Sequence, residues 1–330
     1  MDLSTNYMGL RLKNPLVPSA SPLSHELDTI KKLEDAGAGA IVLYSLFEEQ
    51  IQHEAREIFY YTELGTESFA ESLSYFPEQQ EFNLAPEDYL EHIRKAKEAT
   101  EIPIIASLNG ISTGGWIDFA AKMDQAGADA LELNVYLLPT KHEVAGPEIE
   151  QVYLDILKAV KQAAHIPVSV KLSPFFSSIP NIAKQLDQGG ADALVLFNRF
   201  YQPDIDLDSL DVEPVVQLSQ PGTMLLPLRW IAILYGHLDC SMAATTGIHT
   251  AQDAIKVLLA GADVAQMCAA LLKNGPKHLE QVLTQMEAWL TEKEYESIQQ
   301  MKGSMSHRKV AEPAAFERAN YMKALTSYVP

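Results

Sequence analysis

The chain has 330 residues, 47% of them hydrophobic and 21% charged, with a formal net charge of −19 and two cysteines. That balance belongs to a globular protein with a large core and excludes a disordered chain, and no apolar run is long enough for a membrane-spanning helix. The acidic surplus repels a phosphate backbone and so excludes nonspecific nucleic-acid binding, while Cys240 and Cys268, without C-x-x-C spacing, supply neither a disulfide framework nor the four thiolates of an iron–sulfur cluster.

Met1 to Leu10 hold no basic cluster followed by an apolar stretch, so no signal peptide and a cytoplasmic location are expected. The first apolar run is Asn14-Pro15-Leu16-Val17. Leu27, Ile30 and Leu33 then share one helical face after Ser24, a candidate cap. Asp35-Ala36-Gly37-Ala38-Gly39-Ala40 stops that helix and leads into Ile41-Val42-Leu43-Tyr44. Glycine takes the left-handed cap without a Cβ penalty, and small neighbours let the chain turn back quickly. After Pro86 the residues Tyr89, Ile93 and Ala96 predict a second helix, followed by the run Ile102 to Ala106. The stop motif returns as Gln125-Ala126-Gly127-Ala128-Asp129-Ala130 before Leu131 to Asn134. A helix through Val152, Ile156 and Val160 precedes Ile166 to Val170. Gln188-Gly189-Gly190-Ala191-Asp192-Ala193 opens Leu194 to Phe197, and Cys240 to Ala244 forms the seventh run. Ile255, Leu258 and Leu259 mark a helix that Leu259-Ala260-Gly261-Ala262-Asp263 ends before Val264 to Cys268.

Eight short strands in regular alternation with helices, nearly all apolar, are what parallel strands covered on both faces require. They close most simply into an α/β (β/α)₈ TIM barrel; an open doubly wound sheet is the alternative. Residues 1–330 are expected to form a single barrel domain, with a helical tail from about residue 294 that includes Phe316 to Leu325. Two connections are long, Ser45 to Ala85 after the second strand and Asn198 to Leu226 after the sixth. Both leave C-terminal strand ends, the catalytic face of a barrel, and are expected to be lid insertions.

The strand ends at that face carry Ala20 and Ser21, Tyr44 and Ser45, Ser107 and Asn109, Asn134, Lys171 and Ser173, Asn198, Thr245 to Gly247, and Cys268 with Ala269. Amides, hydroxyls and one lysine dominate. There is no His/Asp/Glu cluster for a catalytic metal and no Ser/His/Asp constellation, so the rim suits a large planar polar cofactor. Lys171 closes an apolar strand and would hold an anion if it points into the mouth; a solvated strand-end lysine is the plainer alternative. Asn134 and Asn198 offer paired donor and acceptor groups, or simply turn residues. Ala244-Thr245-Thr246-Gly247-Ile248 lies where barrels commonly bind phosphate through backbone N–H groups.

At these residues the chain resembles the dihydroorotate dehydrogenase family. The resemblance rests on Asn14-Pro15 with Ala20-Ser21, Glu132-Leu133-Asn134, Val170-Lys171-Leu172-Ser173-Pro174, Asn198, and Thr246 to Ala254 followed by Gly261-Ala262-Asp263. It implies a soluble FMN-dependent oxidoreductase. Ala20, Ser21, Ser45, Asn134, Lys171 and Gly222 would contact the flavin, and Thr246, Gly247, Cys268 and Ala269 would grip its phosphate. Tyr44, Asn134, Asn198 and Arg199 would face a small-molecule substrate. The departures from the family pattern lie on that substrate side. Leu137 stands at the position of the family's proton-accepting cysteine or serine, Tyr44 at that of its second-strand lysine, and Arg199 at that of a small polar residue. Tyr136, Thr140 and His142, on the same loop, are the replacement candidates for the base. A flavin-binding protein with little catalysis of its own and a phosphate-substrate barrel enzyme without flavin are the competing readings. The electron acceptor is unassigned, and homodimer formation is left open.

Overall fold

A computed structural model describes residues 1–51, 86–112, 114, 116–200, 202–318 and 321–326. The chain starts with a hairpin of β1 (Thr5–Tyr7) and β2 (Leu10–Leu12), paired antiparallel with Tyr7 opposite Leu10. Met8 and Gly9 between them both have positive φ, 53° and 76°, as a two-residue I′ turn requires. Eight parallel strands follow: β3 (Leu16–Pro18), β4 (Ile41–Phe47), β5 (Ile104–Gly110), β6 (Ala130–Val135), β7 (Val168–Leu172), β8 (Ala193–Leu196), and then β11 (Ser241–Thr245) and β12 (Val264–Met267). Between the last two and β8 lies an antiparallel pair, β9 (Gln202–Ile205) and β10 (Val212–Val215).

The parallel sheet runs β3-β12-β11-β8-β7-β6-β5-β4, so its two end strands are consecutive in the chain. They meet where the Gly39 N–H donates to the Leu16 carbonyl at 2.9 Å, and the sheet closes into a (β/α)₈ barrel rather than an open doubly wound sheet. Asn14 braces this seam. Its Nδ2 donates to the Gly37 carbonyl at 2.6 Å and its Oδ1 accepts from the Leu16 N–H at 2.9 Å. A Cβ at Gly39 would overlap the Asn14 carbonyl oxygen, so the approach needs glycine.

The stop motifs do more than end helices. Asp129 accepts from the Ile104 N–H at 2.7 Å and from the Lys97 ammonium; Asp192 accepts from the Val168 N–H at 2.7 Å and from Lys161; Asp263 accepts from the Met242 N–H at 2.8 Å and from Lys302. Each aspartate ties the entrance of its strand to an N–H at the start of the preceding strand, the first residue of β5 and β7 and the second of β11. The first motif has Gly39 at the corresponding place, and there the Asn14 side chain takes the N–H instead.

Burial divides the strands by face. Leu16, Ile41, Leu131, Val168 and Leu194 join one cluster with the helices, including Leu27–Asp35, Pro86–Ala99, Gly146–Ala163 and Ile179–Gln188. Val17, Val42, Ile105, Ala130, Ala193, Ala243 and Val264 fill the lumen with Tyr7, Met8 and Leu12. The hairpin therefore plugs the N-terminal end, where the Met8 N–H donates to Ser241 Oγ and Thr5 Oγ1 donates to the Asp263 carbonyl.

Of the two expected lids, the first falls largely on residues 52–85, outside the described residues. The second connection carries the β9–β10 hairpin and a 3-10 turn, Pro221–Met224, before the helix Leu225–Leu234. Beyond the helix Lys277–Glu292 the chain adds Ile298–Met301, a 3-10 turn at Pro313–Phe316 and the helix Tyr321–Thr326. Among the described residues no helix is long and apolar enough to cross a membrane.

The seam generates a prediction. Gly39→Ala forces a methyl against backbone that cannot rotate away, so overpacking should lower stability by about 1–3 kcal/mol. Urea unfolding measures it, and an unchanged midpoint would show that the seam tolerates a side chain.

Candidate functional site

In a strand, residues two apart point to the same side of the sheet. Two places beyond the apolar lumen residues stand Ser19 on from Val17, Ser107 from Ile105, Glu132 from Ala130, Thr245 from Ala243 and Gln266 from Val264, all buried. The lumen is thus apolar at the plugged end and polar toward the C-terminal mouth.

Its centre is an ion pair. Glu132 is 1% exposed and Lys171 7% exposed. The Lys171 ammonium donates to Glu132 Oε1 at 3.1 Å, and Gln266 Nε2 donates to Glu132 Oε2 at 2.9 Å. Both carboxylate oxygens are therefore occupied, the condition under which a buried pair holds. Gln266 Oε1 has no partner among the described residues.

Lys171 and Gln266 also line a cavity of about 220 Å³ at the mouth, together with Ser19, Ala20, Asn198, Arg199, Thr245 to Ile248, Cys268 and Ala269. Val216 to Ser219, from the second long connection, form another wall. Thr246 and Gly247 are both left-handed, with φ of 78° and 79°. Thr246 Oγ1 donates to the Phe197 carbonyl at 3.2 Å, while a Cβ at Gly247 would overlap the Met224 amide nitrogen in the 3-10 turn. Among the described residues, no acceptor takes the backbone N–H of Gly247, Ile248 or Ala269. Unpaired N–H groups around left-handed backbone make a concavity for anions. Burial raises the Cys268 thiol, with the Lys171 charge pulling in the opposite direction, so Cys268 offers a protonated sulfur.

Of the residues singled out by sequence, Ala20, Lys171, Asn198, Arg199, Thr246, Gly247, Cys268 and Ala269 meet at this cavity. Asn134 lies behind it, accepting from Asn198 Nδ2 at 2.6 Å. Ser45 and Ser107 share a hydrogen bond of 2.8 Å between their hydroxyls. Ser21 is buried at the start of a 3-10 turn, where its carbonyl accepts from Ser24, and Gly222 is exposed in the turn packed on Gly247.

Tyr44 is displaced by a bulge. Val42 pairs with Ile105 but Ser45 pairs with Ser107, so β4 spends one extra residue between them. Ser45 is brought to the face of Ser107, and Tyr44 packs against the outer core, stacked on His25 at 3.9 Å and edge-on to Tyr89 at 5.0 Å. Burial, with the Asp88 charge, pushes its hydroxyl up to about 12. Burial also lowers His25 and His92 on either side, so these imidazoles favour the neutral form.

Of the candidate bases, Tyr136 stacks on Phe200 at 4.2 Å, and Thr140 and His142 are exposed further along the loop. None of the three lines the cavity, and Leu137 packs against the outer core. Sequence reasoning missed Glu132 and Gln266 as site residues. Their signal was a polar side chain inside an apolar strand, two places from a lumen residue.

The matching family model is that of dihydroorotate dehydrogenase, over residues 78–290. A dihydroorotate dehydrogenase B (NAD(+)) catalytic subunit from Thermoplasma volcanium is 30% identical over 312 residues, covering 92% of this chain and 98% of the relative. The corresponding catalytic subunit from Thermoplasma acidophilum is 29% identical over 312 residues, with the same coverage. The NAD-dependent dihydropyrimidine dehydrogenase subunit PreA of Escherichia coli is 26% identical over 328 residues, 92% of this chain and 76% of that protein.

Gly247 gives this site its own test. Gly247→Ala combines a left-handed alanine with an overlap on Met224, and such strain costs about 1–3 kcal/mol. The thermal midpoint should fall and limited proteolysis should cut the 202–224 connection faster. Wild-type behaviour in both would mean that the turn does not depend on this contact.

Proposed function

The chain belongs to the dihydroorotate dehydrogenase family, and from that premise we propose an FMN-dependent oxidoreductase that moves a hydride between a CH–CH group of a pyrimidine-like substrate and flavin N5. One observation carries this reading: a single cavity joins a buried ammonium, Lys171, to backbone donors at Gly247, Ile248 and Ala269 that have no acceptor among the described residues. The donors suit a phosphate, and the ammonium suits an anionic ring edge. Gln266 Oε1, buried at the same cavity and without a partner among the described residues, offers an acceptor as well.

In this assignment Ala20, Ser21, Ser45, Asn134, Lys171 and Gly222 hold the flavin, and Thr246, Gly247, Cys268 and Ala269 its phosphate. Bound flavin supplies the two-electron acceptor. The chain's own part is electrostatic and positional: Lys171 places a fixed positive charge where negative charge accumulates, and the Asn134–Asn198 pair presents donor and acceptor groups. Arg199, exposed at the mouth, offers the planar fork that pairs with a carboxylate. Electrons leave to another protein; the Thermoplasma relatives are named as catalytic subunits.

A second reading within the same chemistry, a flavoprotein with little dihydroorotate turnover that serves another substrate, is favoured by the loop after β6. Leu137 cannot accept a proton, and Tyr136, Thr140 and His142 stand away from the cavity.

The purified protein should be yellow and release FMN on denaturation. Lys171→Ala should weaken FMN retention or lower the flavin potential, because the charge stabilising the reduced anion is gone. FAD in the supernatant, or a colourless protein after reconstitution, would sink the cofactor assignment.

Turnover of dihydroorotate should be slow, since a general base contributes about 10²–10⁴-fold to such a rate. Anaerobic stopped-flow reduction measures this. Rapid bleaching would show that a base is present, and Tyr136→Phe, Thr140→Ala and His142→Ala, tested singly, would then identify it or exclude the loop.

A further inference from the structure

We propose that Glu132 is a positioning residue that aims the Lys171 ammonium at the cavity and offsets its charge, with Gln266 holding Glu132 in turn. A lysine stem has four rotatable bonds, and an ammonium without a fixed partner is free to turn away from the cavity. Glu132 removes that freedom. It lies on β6 next to Lys171 on β7, with the backbone of Glu132 paired opposite Ser169 and that of Asn134 opposite Lys171. Gln266 sits on β12, which is separated from β6 by three strands in the barrel order, so its amide reaches across the lumen. With Oε2 occupied by that amide, Oε1 is the oxygen left for the ammonium.

The surroundings reinforce the arrangement. Tyr7 at the plugged end is fully buried, and burial together with the Glu132 charge raises its hydroxyl, so it remains neutral beneath the pair. Tyr89, raised by burial, also feels Glu132, and Cys268 feels Lys171. No second cation competes for the carboxylate among the described residues. The lumen therefore holds one positive and one negative charge, with the positive one facing the cavity. For its catalytic meaning this rests on the flavin reading; the network itself does not.

The thiol of Cys268 reports the charge without any flavin. In full-length, flavin-free protein carrying Cys240→Ser, alkylation of Cys268 by iodoacetamide is followed against pH, with and without Glu132→Gln. The substitution keeps the shape and one acceptor for Lys171, with Gln266 Oε1 able to accept from the new amide, but leaves Lys171 uncompensated, so the thiolate becomes its counter-ion. The midpoint of the alkylation profile should fall by about one pH unit, an increase of about tenfold in reactivity at a fixed pH below it. Glu132→Asp, with the carboxylate drawn back by one methylene, should give an intermediate midpoint, and carries the test if the glutamine variant does not fold. After FMN reconstitution the flavin potential of Glu132→Gln should move positive, because an uncompensated ammonium favours the reduced anion. An unchanged or raised thiol midpoint overturns the proposal. A shifted thiol in a protein that binds no flavin supports the network and removes the flavin reading, whereas bound flavin with an unshifted thiol removes the network alone.

Discussion

Two opposite charges inside the barrel, Glu132 and Lys171, set the terms for everything around them. Removing each from water costs several kcal/mol, and their mutual attraction offsets this only when the remaining hydrogen-bonding positions are filled. Gln266 fills one of them. The pair also divides the lumen. Toward the N-terminal end the lumen residues are Val17, Val42, Ile105 and Val264, sealed by Tyr7, Met8 and Leu12; toward the mouth they are Ser19, Ser107 and Thr245. A charged layer that deep needs a dry floor below it, which the N-terminal hairpin supplies.

The same division explains why the scaffold repeats. Each barrel unit must deliver its next strand with the inward face correctly phased, because a slip of one residue would exchange lumen and outer faces. Asp129, Asp192 and Asp263 enforce this by binding an N–H at the start of the preceding strand and a lysine at once. At the seam Asn14 takes that part and Gly39 provides the room. The glycines and small residues of these motifs were visible in the sequence as helix stops, and the eight apolar runs as strands. Both signals are local, which is why they could be read. The hairpin was not legible: two strands of three residues joined by Met8-Gly9 have too little periodicity, and their burial comes from the barrel floor they cover.

The site was legible where it sits on strand ends and obscure where phase decides. Lys171, Asn198, Thr246, Gly247, Cys268 and Ala269 end strands or begin the turns after them, so counting along the chain brought them to one mouth. Glu132 and Gln266 lie within strands, where an apolar context suggests core rather than chemistry. At β4 simple alternation from Val42 would aim Tyr44 into the lumen, but the bulge reverses this and brings Ser45 inward. One extra residue is a backbone event that side-chain identity does not announce.

These differences follow from how each half of the site is built. One side of the mouth depends on strands, on a charge pair braced across the lumen and on backbone N–H groups, all of which are fixed by the closed sheet. The other side of the mouth depends on loops: beyond the ends of β6, β7 and β8, Tyr136 stacks on Phe200 and Phe175 meets Phe200 edge-on. Leu137 and Arg199 lie on these connections, outside the strand pairings. A barrel of this construction can therefore vary its loops while its ammonium, its lumen brace and its left-handed turn stay in place; Leu137 and Arg199 lie on such loops, after β6 and β8, whereas Tyr44 lies within β4 and is tied into the outer core.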